Sequence, residues 1–345
     1  MTKTVLVATA GQGILRSNDD GKTWHRLGLS EAIEFDGIVR ALAVDDTNPE
    51  RVYAGADAGL CISDDGGAHW RRPDNILNGE TVWSIAIDPK DERILYAGTG
   101  APSRAAIFKS TDAGETWTKL PPDIPEFCSG VNRPRLLTIA VDPEDTENVW
   151  FGIEEGGAWR TCDAGKSWIR IDGPNSAIRN SDIHAITVLA ANASKPKTVV
   201  LLTVNAVYLS EDDGANWTGK LSKDRFDGLY YTRTVTQLPS SEGDLLMAVG
   251  DGTPGSRTRI YRSADRGYEW TQMSLASVPN STFWALGVNA ASPGLVFAGT
   301  KYGHLFRSVD GGLNWTKEWR EFSEITAVAW TPFEAPLIAH GRSAY

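Results

Sequence analysis

The sequence predicts an all-β fold, a seven-bladed β-propeller built from four-stranded blades. Three observations predict it. A short polar phrase, S/T-x-D-x-G-x-x-W, recurs seven times along the 345 residues. A second phrase, strand then Asp-Pro-type turn then strand, precedes most copies. The chain opens without an innermost strand for its first blade and carries a matching strand near its end. Repeats at a period of 45–53 residues, each reading as one small antiparallel unit, are the pattern of radially repeated sheets.

The boxes run Ser17–Trp24, Ser63–Trp70, Ser110–Trp117, Thr161–Trp168, Ser210–Trp217, Ser263–Trp270 and Ser308–Trp315. Successive tryptophans lie 46, 47, 51, 49, 53 and 45 residues apart. Asp and Ser side chains bond nearby backbone N–H groups and hold tight turns. Gly supplies a positive φ, and Trp drops a large apolar body into neighbouring packing. Alternating stretches flank the box (AIFKS before, TWTKL after), so each box is expected to turn between two short strands.

The phrases RALAVDDTNPERVYAGA (40–56), WSIAIDPKDERILYAGT (83–99) and LTIAVDPEDTENVWFGI (137–153) supply the inner two strands of a blade. The N-terminal TVLVATA matches a second strand, and EITAVAWTP (324–332) matches a first strand. Pairing the two is expected to close the ring and remove an open edge. One propeller domain spanning 1–345 is the organisation expected. PLIAHG (336–341) resembles another second strand, for which the scheme has no slot.

At these residues the chain resembles the Asp-box, or BNR, repeat family of sialidases, sortilin-type receptors, xyloglucanases and a photosystem II assembly factor. The resemblance covers essentially the whole chain. It implies that the box joins the third and fourth strands of a blade, away from any active site. The seven box aspartates are therefore structural in this reading. Sialidase activity is not carried over: no F/Y-R-I-P stretch exists, although Arg133, Arg135, Tyr230 and Tyr231 fall near the channel mouth.

Composition narrows the classes of partner. The formal charge is -10, which argues against a general nucleic-acid binder. Three cysteines without a CxxC suggest neither a disulfide framework nor a cysteine metal site. No stretch approaches the roughly 20 apolar residues of a membrane-spanning helix, and the apolar N-terminal run reads as a strand. A cytoplasmic protein, without membrane partner, cofactor or metal, is the expectation. No phosphate-cradling, Rossmann, HExxH or GxSxG motif occurs; GDGTPGS (250–256) is Gly-rich but no helix follows it.

Aligned innermost strands put one residue per blade at the channel mouth: Arg40, Trp83, Leu137, His184, Arg233, Trp284 and Thr326. A merely structural slot should hold small or aliphatic residues, yet this one holds two Arg, two Trp and a His. The turns between second and third strands add Asp57, Glu154, Glu155, Asp251, Lys301, Tyr302 and His304. Two functions fit. In the first, the protein is a hydrolase or lyase acting on a small anionic or carbohydrate-like ligand. Arg40 and Arg233 hold an anionic group, Trp83 and Trp284 stack on the ligand, and Tyr302 and His304 add contacts. His184, with Glu154 or Asp251, moves protons. In the second, the protein is a non-catalytic scaffold binding a protein partner on its loop face.

Overall fold

The computed structural model describes residues 3–27 and 37–333. Seven antiparallel sheets follow one another along the chain. Blade 1 combines Ile325–Thr331, Thr4–Thr9, Ile14–Ser17 and His25–Arg26, in that order from the axis outwards. Blades 3 to 6 are regular four-stranded units that begin at Val82, Leu136, Ile183 and Tyr231. In blade 2 the fourth strand shrinks to a single bridge, Ile62 to Arg71. Blade 7, beginning at Phe283, gains a fifth, parallel strand, Ser274–Leu275, against its outer strand Asn314–Glu321.

The seven innermost strands touch in cyclic order, each against the next and the last against the first. Closure is made as the sequence predicts. Thr4–Thr9 pairs with Ile325–Thr331, Thr4 opposite Thr331 and Ala8 opposite Ala327. An edge that would otherwise be open is thereby covered. The 336–341 stretch lies outside the described residues.

The apolar pattern explains the layering. Second strands such as Val52–Ala56 and Leu95–Thr99 are buried at every position because a neighbouring blade covers each face. Most hydrophobic clusters straddle two blades. One unites Leu6, Ala8 and Ile14 of blade 1 with Val39, Val52, Ala54 and Cys61 of blade 2. Small residues near the second strand's end permit the approach. A Cβ on Gly152 would stand 2.3 Å from Ile183 of the next blade.

Each box is a hydrogen-bonded stitch. In the third copy the Gly114 N–H donates to Ser110 Oγ at 2.9 Å and the Thr116 N–H to Asp112 Oδ1 at 2.9 Å. The Trp117 indole N–H donates to Gly114 O at 3.0 Å. The box glycines all take positive φ, from 79° at Gly214 to 96° at Gly267. They also face the preceding blade: a Cβ on Gly214 would meet Trp150 at 2.7 Å, and one on Gly312 would meet Leu246 at 2.8 Å. The box thus ties its own hairpin and seats it on its neighbour. Its backbone bonds to the turn between first and second strands, as in Ala113 N–H to Arg93 O at 2.9 Å. Boxes and Asp-Pro turns therefore share one face, and the other face is left to the variable loops.

Candidate functional site

Every innermost strand breaks its ladder once, at the same place. The register skips a residue between Val39 and Ala41, Val82 and Ser84, Leu136 and Thr138, and Ile183 and Ala185. It skips again between Thr232 and Thr234, between Phe283 and Ala285, and opposite Ala8 and Thr9 of blade 1. The skipped residues are Arg40, Trp83, Leu137, His184, Arg233, Trp284 and Thr326, the seven mouth residues of the sequence alignment. A β-bulge leaves one residue unpaired and re-aims its side chain, and bulges concentrate beside functional sites. Here a ring of seven aims its side chains at the axis.

They line one cavity of about 560 Å³, with Arg135, Glu154, Tyr231, Thr253, Lys301 and Glu324. That volume lies in the usual range for small-molecule sites, roughly 300–1,000 Å³. Arg40, Trp83, Arg233 and Trp284 are half-buried and reach the cavity; His184 is buried, its side chain only 3% exposed.

Charge is unevenly matched around the wall. Arg40 pairs with Asp57, Nη2 to Oδ1 at 2.9 Å. Arg135 pairs with Glu154, and Lys301 with Glu324. Arg233 takes part in no ion pair, and its Nε is buried without a hydrogen-bond acceptor among the described residues. Burial pulls its guanidinium below the ordinary arginine range, opposed only through space by Tyr231, Glu154 and Asp182. Its direct contact is with Trp284, whose ring centre lies 3.9 Å from the guanidinium carbon. Register explains the vacancy. Asp57 follows the residue that opposes Val39 in blade 2, and the corresponding position in blade 6 is Gly250.

Both tryptophan rings carry cations of the protein itself. Arg40 lies 3.9 Å from the centre of the Trp83 ring, with Arg135 at 5.1 Å. Lys301 joins Arg233 at Trp284, at 4.2 Å, and Tyr231 stacks near it at 6.4 Å. The rings hold cations in place, a geometry that the ring quadrupole favours.

Three candidates named with this pocket sit apart from it. Asp251 binds its own loop: its carboxylate accepts from the N–H groups of Ser256 at 2.7 Å and Arg257 at 3.0 Å. Burial pushes its pKa upward, but these hydrogen bonds prevail and hold it down at about 2. Tyr302 is exposed on the outer side of the Lys301 turn, and its carbonyl accepts from Asn280 at 2.8 Å. His304 begins a third strand, with Nε2 3.2 Å from Glu321. Burial, first, and then Lys317 lower its pKa. His184 does line the cavity, and its Nδ1 lies 2.6 Å from Thr232 O. A carbonyl only accepts, so Nδ1 carries the proton there. Nε2 stands 3.4 Å from Asp182.

The sequence puts Arg135, Tyr231 and Lys301 near the mouth, whereas Glu324 joins the cavity only in the structure. A signal existed. The slot two residues before each bulge holds Ile38, Thr81, Arg135, Asp182, Tyr231, Thr282 and Glu324, a second ring in which four side chains are titratable.

No family model matches the chain. A xyloglucanase of Paenibacillus sp is 26% identical over 364 residues, which cover 86% of this chain and 34% of that protein. The chain thus spans about a third of that relative's length. The GH74 xyloglucanase from Xanthomonas campestris superposes with a TM-score of 0.68 at 19% identity, covering 92% of this chain and 53% of that one. YCF48 bound to D1 peptide superposes with a TM-score of 0.52 at 20% identity, covering 81% of this chain and 82% of that one. At these identities the two structures speak for the propeller fold alone. Among the described residues no helix is long and apolar enough to cross a membrane, and no cluster of metal-ligating side chains occurs.

Proposed function

We propose that this chain is a ligand-binding propeller that captures the anionic group of a small, carbohydrate-like molecule at the mouth of its channel, with Arg233 as anchor. One observation carries the reading. Among the described residues four cationic side chains line the cavity; three are neutralised by a carboxylate and Arg233 is not. An unpaired guanidinium half-buried in a concave site is costly to the folded protein. An incoming carboxylate repays that cost through charge-assisted, two-pronged hydrogen bonding. The carbohydrate class draws support from the xyloglucanase relatives. We also infer from the seven boxes that the chain belongs among Asp-box propellers.

The same relatives favour a hydrolytic or lyase step on the captured ligand, in which His184 and Glu154 are the cavity groups able to move a proton. The geometry gives more to binding than to bond cleavage. Glycoside hydrolysis usually needs two carboxyl groups, one of them able to hold a proton. Among the described residues the two carboxylates lining the cavity, Glu154 and Glu324, are clasped by cations. The scaffold reading has its own support in the superposition with YCF48 bound to D1 peptide, which spans most of both chains.

Titration of the wild type and of Arg233→Gln with sugar acids and neutral sugars tests the proposal. Loss of a charged hydrogen-bond partner costs about 1.5–3 kcal/mol, roughly ten- to a hundredfold in affinity. Arg233→Gln is expected to weaken sugar-acid binding by that factor with a melting temperature that does not fall. Equal affinity in the two proteins would refute the anchor.

A further inference from the structure

We infer that the cavity selects a polyhydroxylated monocarboxylate, a sugar acid with one charge, and that Asp57 and Gly250 set this selectivity from equivalent positions on opposite sides of the ring. The inference rests on the proposed anion site and goes further: it names the ligand's charge and the residue that limits it.

The wall carries the same device twice. In blades 2 and 3 the bulge residues are Arg40 and then Trp83, and in blades 6 and 7 they are Arg233 and then Trp284. Each guanidinium carbon sits 3.9 Å from its tryptophan's ring centre. A second cation flanks each ring: Arg135, held by Glu154, and Lys301, held by Glu324. The two stations differ in what stands beside the arginine of the bulge. Next to Arg40 the second strand is followed by Asp57, which accepts from Arg40 Nε at 3.1 Å and from Nη2 at 2.9 Å. Next to Arg233 the same position is Gly250, which has no side chain to offer. It could not readily gain one, because a Cβ there would stand 2.3 Å from Thr282 Oγ1. One station is thus charged and open, the other charged and satisfied.

A ligand that fits this wall brings one negative charge to the blade 6 side. Elsewhere it meets ion pairs, in which a donor and an acceptor stand side by side. Hydroxyl groups suit such surfaces because each both donates and accepts. A second carboxylate would have to displace Asp57 from Arg40 or stand against it.

Gluconate and glucarate, the mono- and dicarboxylates of one six-carbon polyol, are the probes, titrated calorimetrically. Wild-type protein is expected to bind one gluconate and to favour glucarate by no more than about threefold. Asp57→Asn keeps an acceptor oxygen but removes the charge. It is expected either to favour glucarate by about tenfold or to take up a second gluconate, the size of effect a freed charged partner brings. Adding Arg40→Gln to Asp57→Asn should cancel the gain. If gluconate binds wild type while Asp57→Asn changes neither preference nor stoichiometry, the selectivity inference falls and the anion site stands. A tenfold glucarate preference in wild type has the same consequence. If gluconate fails to bind wild type, the anion site falls and the inference with it. Asp57 is more than a third exposed, and a melting curve checks that the variant is folded.

Discussion

At the scale of single residues, what matters is which charges find partners. The box aspartates are saturated within their own turns. Asp310 accepts from the Asn314 N–H at 3.0 Å, the Asn314 amide at 2.8 Å and the Ser308 hydroxyl at 2.7 Å. Burial alone would raise its pKa; the hydrogen bonds prevail and bring it from 3.8 to about 2. A carboxylate whose pKa is depressed on folding adds stability above the unfolded value and forfeits it as pH falls through the folded one. The gap in melting temperature between wild type and Asp310→Asn should therefore be full at pH 5 and shrink between pH 3.8 and about 2. A gap that stays constant over that range would show that the charge of Asp310 does nothing for the turn. Arg233 is the opposite case, a charge without a partner. Its identity as a mouth residue was legible in the sequence. Its lack of a carboxylate was not, because that depends on the register that sets Gly250 where blade 2 has Asp57, and on Asp251 turning back to Ser256 and Arg257.

At the scale of the hairpin, the box explains both a turn and a blade-to-blade contact. Gly214→Ala would force a Cβ into Trp150 at a φ of 79°, and is expected to cost on the order of 1 kcal/mol or more. Trp117→Ala empties a buried site and is expected to cost about 3–5 kcal/mol. Denaturant unfolding measures both, and wild-type stability in either variant would contradict the account of the box. The turn was legible because Asp, Gly and Trp recur at fixed offsets. The bulges were legible only as an alignment column of unusual residues. Sequence shows that Arg40, Trp83 and His184 share a slot, but not that the slot is unpaired, which is decided by register against the second strand. Nor does the sequence show that Arg40 and Arg233 lie over the rings of Trp83 and Trp284.

For the whole molecule, closure is the event that converts seven sheets into a ring with a mouth. The closing strand carries Trp330, fully buried where the two ends of the chain meet. Trp330→Ala is expected to cost about 3–5 kcal/mol and to unfold the protein in one transition rather than free blade 1 alone. A separate early transition would show that the ring does not depend on its closure. The architecture was legible from periodicity, down to the strand that completes blade 1. Of the wall, the composition was readable and the pairing was not, since Arg135 meets Glu154 and Lys301 meets Glu324 only once the blades are arranged around the axis. The most direct test of the central claim is a crystal structure with gluconate bound. Its carboxylate is expected within hydrogen-bonding distance of the Arg233 guanidinium, inside the ring of bulge residues. A carboxylate bound instead at Arg40, on the box face or outside the channel would contradict it.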